Sequence, residues 1–292
     1  MGIRTDMAAE LRTGAMAQNA KKKDHEPDGV IYDECILPSG NKKSTIDIVN
    51  ENGSGSLGRP CGRYVTISFD DIIDMTYDRF ESLCRIVSAE LADIADRAAP
   101  QRTSLLLCGL GNRRLASDAI GTYAAEAVIS TRHIKEYNRA LFDGAGFFDV
   151  STLCPGVKAQ TGMETAELIL GAVKSISPSL VIVVDSLAAG QSENLCRTVQ
   201  LTDTGIAPGS GIGNHRTAIN RELLGVPVVA IGVPTVIDAA TLVPDAPDSL
   251  YGMFVSPKDI DARALLIGRM IGYSVNLAFH RSISVPDMMI MQ

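Results

Sequence analysis

The sequence predicts an α/β fold in which a mostly parallel sheet carries helices on both faces. Short apolar runs at Leu105–Cys108, Leu180–Val184 and Pro227–Ile231 predict buried strands, and stretches of helical periodicity separate them. Strands made only of apolar residues are typical of a parallel sheet that is covered on both sides. The 292 residues suffice for one such domain, which we expect to span residues 1–292.

Residues 1–58 are weakly patterned, and we expect them to form a peripheral arm or layer. A helix is predicted over Met7–Asn19, a short apolar segment follows at Val30–Leu37, and Ile46–Val49 fits an edge strand. The glycine- and serine-rich stretch Glu51–Gly58 closes this part of the chain.

The core, residues 63–292, opens with stronger patterns. Arg63–Phe69 alternates and is rich in β-branched and aromatic residues, which predicts a strand. Tyr77–Ala98 has apolar residues at helical spacing and predicts a long amphipathic helix. A helix over Ala119–Ser130 and a strand over Phe147–Cys154 follow.

Helix-capping patterns mark the second half of the core. A helix is predicted over Thr161–Ile176, where Thr161 and Glu164 have the spacing of a capping box. A short strand is predicted at Cys196–Leu201.

A terminal helix is predicted over Ser256–His280, with Ser256 and Asp259 as its capping pair.

Composition excludes several classes of protein. A net charge of −7 disfavours direct binding to nucleic acid, which needs a basic face. No apolar run approaches the roughly 20 residues that span a bilayer, and the N-terminus lacks the apolar stretch of a secretory signal. The six cysteines are scattered without a C-x-x-C pair, so we expect reduced core thiols in a cytoplasmic compartment.

No cofactor and no metal site are predicted from the motifs. After the strand Leu105–Cys108, Gly109 and Gly111 are followed by Arg114, so the G-x-G-x-x-G pattern is incomplete. The P-loop, the serine hydrolase G-x-S-x-G and the zinc-binding H-E-x-x-H are absent.

Two aspartates follow predicted strands. Asp118 lies in the turn after Leu105–Cys108, and Asp185 directly follows Val184, where we expect the apolar run to give way to a helix. Ligands bind outside the carboxyl ends of the strands in an open α/β sheet. We therefore expect the two carboxylates to share a site with the glycine-rich loop Asp203–Arg216.

Such a pair has three readings. Two close carboxylates share a proton, so that one acts as acid and the other as base toward a water that attacks an amide. Alternatively they hold a divalent metal, ideally with a histidine. Each could instead merely cap the helix after it, a common use of aspartate, and spacing does not decide between these.

His215 and Asp238 are possible accessory residues. His215 lies in the glycine-rich loop and could be a ligand or a general base, although a lone loop histidine is usually just exposed. Asp238 follows another predicted strand end. His133 and His280 lie in helical patterns and are expected to be structural.

Several stretches spread along the chain carry a resemblance: IRTDMAAE (Ile3–Glu10), CGLGN (Cys108–Asn112), SDAIG (Ser117–Gly121), TRHI (Thr131–Ile134), PGVKAQTGMET (Pro155–Thr165), VVDSLAA (Val183–Ala189), QLTDTGIAPGSGIGNHR (Gln200–Arg216), GVPVVAIGVPTVIDA (Gly225–Ala239) and, more faintly, VSPKDID (Val255–Asp261). In this order they resemble the germination protease family, the spore endopeptidases of endospore-forming bacteria.

The resemblance implies an endopeptidase that degrades small acid-soluble spore proteins during germination, in the cytoplasm of the forespore or spore core. Family members are zymogens that remove a short N-terminal segment themselves, and they form homotetramers. Their proposed catalytic aspartates fall on Asp118 and Asp185, which implies an aspartic-type hydrolase. The fold is similar to that of hydrogenase maturation proteases, in which acidic residues at the equivalent strand ends contact nickel.

Two features depart from the family's pattern, and two other functions stay open. Only three residues precede Arg4, fewer than in a usual prosegment, and Thr241–Phe254 is a reduced form of a longer stretch.

One alternative is a metal-dependent maturation-type protease with Asp118, Asp185 and His215 as ligands. The other is a non-catalytic peptide-binding module that uses the glycine-rich loop.

Overall fold

The computed structural model describes residues 5–18, 26–212, 216–243 and 245–291. The strands in these residues are β1 (Val30–Ile36), β2 (Lys42–Ile48), β3 (Gly62–Ser68), β4 (Ser104–Gly109), β5 (Asp149–Leu153), β6 (Leu180–Ala189), β7 (Thr198–Thr202), β8 (Val228–Asp238) and β9 (Phe254–Val255). The helices are α1 (Ala8–Gln18), α2 (Glu51–Leu57), α3 (Tyr77–Ala98), α4 (Ile120–Ala127), α5 (Arg132–Tyr137), α6 (Arg139–Gly144), α7 (Lys158–Thr161), α8 (Thr165–Ile176), α9 (Arg221–Leu224), α10 (Ile260–Phe279) and α11 (Val285–Met291).

All of these strands belong to one sheet, in the order β1-β2-β3-β7-β8-β6-β4-β5, with β9 paired to β8. The central strands β5, β4, β6 and β8 are parallel to their neighbours in that group. The pairs from β1 through β7 to β8, and the β8–β9 pair, are antiparallel. The α/β prediction is confirmed, and parallel pairing is confined to the core of the sheet.

Helices cover both faces of this parallel core. Alternate residues of β6 point to opposite faces: Ile182 and Val184 pack in the cluster formed with α3, α4 and α10, whereas Val181 and Val183 pack in the cluster formed with α8 and α9. Burial on both sides explains the all-apolar strand sequences. None of the helices in the described residues is long and apolar enough to cross a lipid bilayer.

The strand β6 continues beyond the end that the sequence suggests. Its ladder with β8 runs on from Asp185, which pairs with Gly232, as far as Ala189, which pairs with Ile237. The prediction that a helix begins at Asp185 is therefore wrong, and helix capping is no longer a reading of this residue. The hydrogen bonds of the neighbouring strand extend β6, which local sequence does not reveal.

The peripheral region differs from expectation in two ways. Ile46–Val49 was expected at a sheet edge, but β2 lies between β1 and β3, so β1 is the edge strand. The glycine- and serine-rich stretch forms helix α2, because the Asn50 side chain accepts a hydrogen bond from the Gly53 N–H (3.0 Å) and Gly58 ends the helix at φ +62°.

The capping residues of α8 are shifted from their predicted positions. The predicted helix start at Thr161 is instead the end of α7, because Gly162 takes a left-handed conformation at φ +74°. Glu164 is the N-cap of α8, and its N–H donates to the Glu167 carboxylate (3.0 Å). The capping box therefore joins Glu164 to Glu167, and the pairing with Thr161 was wrong.

The cap of α10 also differs from the prediction. Asp259 is the N-cap, but its carboxylate binds Arg263 (2.8 Å) and makes no side-chain capping bond. Ser256 lies outside the helix.

Three of the six cysteines fit the expectation of core thiols. Cys84, Cys108 and Cys196 are buried, whereas Cys35, Cys61 and Cys154 are exposed, and all six thiols are free. The expectation was wrong for the exposed three.

A substitution at Gly121 tests how tightly α4 packs on the strand ends. A Cβ atom at this position would lie 2.5 Å from the Leu110 carbonyl oxygen and would also collide with the Val184 carbonyl. We expect Gly121→Ala to lower the free energy of unfolding by about 1–3 kcal/mol or more, as overpacking does. Urea unfolding measures this change.

Gly171→Ala is the matched control for that substitution. Gly171 also lies in a helix, but nothing is within 4 Å of the Cβ atom that alanine would add. Because alanine has a higher helix propensity than glycine, this substitution should raise the free energy of unfolding by about 0.5–1 kcal/mol. Equal effects of the two substitutions would contradict the packing described for α4.

Candidate active site

Asp118 sits on a single 3₁₀ turn, Ala116–Asp118, between β4 and α4. The chain folds back on itself here: the Asn112 N–H donates to the Asp118 carbonyl (2.9 Å) and also to its carboxylate (3.0 Å). This close approach needs a glycine at 111, where φ is +95° and a Cβ atom would lie 2.8 Å from Asp118 Oδ1. The loop sequence Gly-Leu-Gly-Asn therefore places one carboxylate.

The environment of Asp118 shifts its pKa upward. Burial raises the pKa because it disfavours the charged form, and the hydrogen bond from the Asn112 N–H partly opposes this. The positive charge of Arg216 also opposes the rise.

Asp185 lies within β6 and is only 5 % exposed. The Ser186 N–H donates to its Oδ1 (2.9 Å). Burial raises the pKa of Asp185 well above its usual range, and the charges of Asp118 and Asp6 raise it further, against the Ser186 hydrogen bond and Arg216. Asp185 therefore keeps its proton at pH values at which an ordinary carboxyl group has lost it.

Both aspartates line one cavity of about 300 Å³ at the carboxyl edge of the parallel strands. Ser186 and Leu187 of β6, Thr235 and Val236 of β8, and the exposed Arg216 also contribute to its wall. The structure thus brings together the two carboxylates and the end of the glycine-rich loop, as open α/β sheets do with their ligand sites.

The N-terminal segment closes one side of this cavity. The Asp6 N–H donates to the Ala188 carbonyl (3.0 Å), and the Ala188 N–H donates to the Asp6 carboxylate (3.0 Å). The Ser210 hydroxyl donates to Asp6 Oδ1 (2.6 Å), and the Arg59 guanidinium donates to the Thr5 carbonyl (3.1 Å). Asp6 is 8 % exposed and lines the same cavity as Asp118 and Asp185.

Glu10 anchors this segment just beyond the cavity. Its carboxylate accepts hydrogen bonds from the Gly190 N–H (2.6 Å), the Gln191 N–H (3.1 Å) and the Asn194 side chain (2.6 Å). The Thr5 hydroxyl donates to the same carboxylate. A buried carboxylate with this many donors fixes the start of α1 against the end of β6.

Sequence reasoning missed Asp6 as a neighbour of the site. The residue lies in a stretch with no strand signal, and its partner Ala188 is 182 positions away. The stretch Ile3–Glu10 was noticed only through the family resemblance, which assigns no place to it in the fold.

Of the two possible accessory residues, the structure describes only Asp238. Asp238 is 3 % exposed, and its carboxylate accepts hydrogen bonds from the Ala240 N–H (3.0 Å) and the Gly252 N–H (3.3 Å), which caps a 3₁₀ turn. It is not among the residues that line the cavity. His215 lies outside the described residues. Within the residues that the structure describes, no three His, Cys, Asp or Glu side chains group closely enough to hold a metal ion.

Asp185 is buried and Asp118 is partly exposed, and two carboxyl groups with raised pKa values at one cavity can divide an acid and a base between them. Asp185 has the larger shift and is the better proton donor, whereas Asp118 is the better base. This division suits the attack of water on an amide, in which one group accepts a proton and the other supplies one.

Comparison with known proteins gives consistent matches. A family model described as germination protease matches residues 7–255. The germination protease of Clostridium perfringens is 37% identical over 257 residues, covering 88% of this chain and 77% of the relative. The germination protease of Caldanaerobacter subterraneus is 39% identical over 245 residues, covering 84% and 72%.

A solved structure also aligns with the chain. The [NiFe] hydrogenase maturation protease HycI from Thermococcus kodakarensis shares 21% sequence identity with it at a TM-score of 0.37. The alignment covers 64% of this chain and 99% of HycI.

The pH dependence of stability in an Asp185 variant tests whether folding raises the pKa of this residue. Above pH about 4 the unfolded chain releases the Asp185 proton, whereas the folded protein retains it. The free energy of unfolding of the wild type therefore falls as the pH rises. Asp185→Asn cannot ionise. Its unfolding free energy relative to the wild type should therefore increase as the pH rises above about 4, by up to about 1.4 kcal/mol per pH unit.

Urea unfolding at a series of pH values measures that difference. The control is Glu193→Gln, which also removes one negative charge but from an exposed side chain. A difference between Asp185→Asn and wild type that stays constant with pH would show that the pKa of Asp185 is not raised by folding.

Proposed function

The chain belongs to the germination protease family, and on that premise we propose that it hydrolyses peptide bonds by an aspartic-type mechanism with Asp118 and Asp185 as the catalytic carboxylates. It is an endopeptidase of spore germination, as its family is. The observation that carries the proposed mechanism is the shared cavity, in which the charge of Asp118 raises the pKa of Asp185.

In the proposed reaction, Asp118 accepts a proton from a water molecule, and the water oxygen attacks the carbonyl carbon of the peptide bond. Asp185 then donates its proton to the leaving nitrogen as the carbon–nitrogen bond breaks. The larger pKa rise at Asp185 supports this assignment, because the group that stays protonated is the acid. Arg216, at the wall of the cavity, lowers the electrostatic cost of placing carboxylates there.

We propose small acid-soluble spore proteins as the substrates, degraded in the cytoplasm of the spore core. Family membership supports this choice of substrate and compartment. The cavity also opens between protein segments that can contact an extended peptide, namely the glycine-rich loop around Pro208 and Gly209 and the β9 strand at Phe254.

We also propose that the chain is a zymogen that removes its own N-terminal segment. Family membership supports this proposal.

Substitution of either aspartate tests the mechanism. We expect Asp118→Asn and Asp185→Asn each to lower kcat on a purified small acid-soluble spore protein by at least about 10²-fold, because neither asparagine can exchange a proton. Gel analysis of the cleaved substrate gives the rate, and circular dichroism checks that both variants are folded. The exposed Glu193→Gln should keep full activity as the control.

Three outcomes would overturn this mechanism. Full activity of both folded asparagine variants would remove the pair from catalysis. Loss of wild-type activity on chelation, with recovery on adding a divalent metal, would favour the metal-dependent alternative. Peptide binding without turnover by the wild type at any pH would favour the binding module.

We propose that the protein assembles as a homotetramer, as the family resemblance implies. Tyr137 (89 % exposed) and Ile290 (86 % exposed) are large apolar side chains on the surface of the single chain, and burial between subunits would remove them from water. Sedimentation equilibrium should give four times the mass of the chain. A monomer mass across the micromolar range would contradict the tetramer.

A further inference from the structure

Thr235 occupies an irregular position in the ladder between β6 and β8. Leu187 pairs with Pro234 and Ala188 pairs with Val236, so Thr235 is the extra residue of a β-bulge. It is fully buried, at 0 % exposure, and lines the cavity that holds Asp118 and Asp185. Bulges next to active sites commonly re-aim a side chain.

The side chain of Thr235 reaches across to the turn that carries Asp118. Its hydroxyl donates to the carbonyl of Ser117 (2.6 Å), the residue directly before Asp118. Thr235 belongs to β8, which pairs with β6 on one side, and on the other side the carbonyl of the adjacent Pro234 accepts a hydrogen bond from the Cys196 N–H (2.7 Å). The hydrogen bond therefore connects a strand held on both sides to a short surface turn.

The other hydrogen bonds of the turn are mostly local. The Asp118 N–H donates to Leu115 (2.8 Å), and the Asn112 N–H donates to Asp118 (2.9 Å), which closes the loop on itself. The Leu110 N–H donates to Val184 (2.8 Å) and fixes the first part of the loop to β6. The Thr235 bond fixes the last part, next to the carboxylate itself.

We propose that Thr235 is a positioning residue for the peptidase reaction: its hydroxyl holds the Ala116–Asp118 turn so that the Asp118 carboxylate stays at the cavity that it shares with Asp185. The proposal rests on the proposed function of this aspartate pair. It follows that the bulge in β8 serves to turn a hydroxyl toward the backbone of the turn, where a regular strand would have pointed it elsewhere.

Thr235→Val tests the role, because valine keeps the shape of the side chain and removes the hydroxyl. We expect kcat on a purified small acid-soluble spore protein to fall about ten- to a hundred-fold, with KM little changed, since a displaced catalytic group affects the chemical step. Thr235→Ser keeps the donor and should restore most of the activity. Thr235→Ala removes the hydroxyl without adding a methyl group and replaces the valine variant if that variant does not fold.

The pH profile of kcat separates positioning from a merely structural role. Asp185 faces Asp118, Asp6 and Arg216, and the charge of Asp118 helps to raise its pKa. If the turn moves away, that contribution weakens, so the alkaline limb of the profile should shift to lower pH in Thr235→Val. A loss of stability alone would lower activity without moving the limb.

Thr198→Val is the matched control. Thr198 is also a buried strand threonine (1 % exposed), and its hydroxyl donates to the Asn194 carbonyl (3.1 Å), away from the carboxylate pair. It should change stability but leave kcat and the pH profile as in the wild type.

Two outcomes would overturn the positioning role: unchanged kcat in folded Thr235→Val, or a reduced kcat with an unmoved pH profile. Either result, together with inactive Asp118→Asn and Asp185→Asn, would remove only the role of Thr235. Active aspartate variants would instead remove the proposed function itself, so the two failures are distinguishable.

Discussion

The Asp185 carboxyl group is buried in the wall of a cavity, where the free-energy cost of ionising it is high. Burial raises the pKa of this carboxyl group, whose one backbone donor is the Ser186 N–H, and a second carboxyl group nearby raises it further. The rest of the site depends on this constraint. It divides the roles of the two aspartates, because the less strongly shifted Asp118 becomes the base.

Three separate parts of the chain hold the pair in place. The ladder of β6 with β8, in which Asp185 pairs with Gly232, fixes Asp185. The loop after β4 folds tightly because Gly111 allows a left-handed backbone next to Asp118. The N-terminal segment closes the remaining side through Asp6, which is bound to Ala188 and Ser210. The site is thus assembled from residues that are far apart in sequence, and packing must fix all of them together.

Much of the fold could be predicted from sequence patterns. The helix Tyr77–Ala98 was predicted with the bounds that α3 has, because its apolar residues keep helical spacing over its whole length. Short apolar strands were located, but the ends of β6 and β8 were not, since a neighbouring strand extends them. Helix α2 was missed because its composition is typical of a loop, and only its caps mark it.

The sequence by itself determined the α/β class, the positions of Asp118 and Asp185 after apolar runs, and the resemblance to germination proteases, because periodicity and motifs are local properties. The tertiary structure alone decided that Asp185 lies within a strand and not at a helix start, that Asp6 reaches the same cavity, and that a bulge turns Thr235 toward Ser117. These features arise from hydrogen bonds between distant segments, which no local pattern encodes. The Gly-Leu-Gly-Asn turn depends on both the sequence and the tertiary structure. Its glycines are visible in the sequence, but whether it places Asp118 at the cavity depends on the strands beside it.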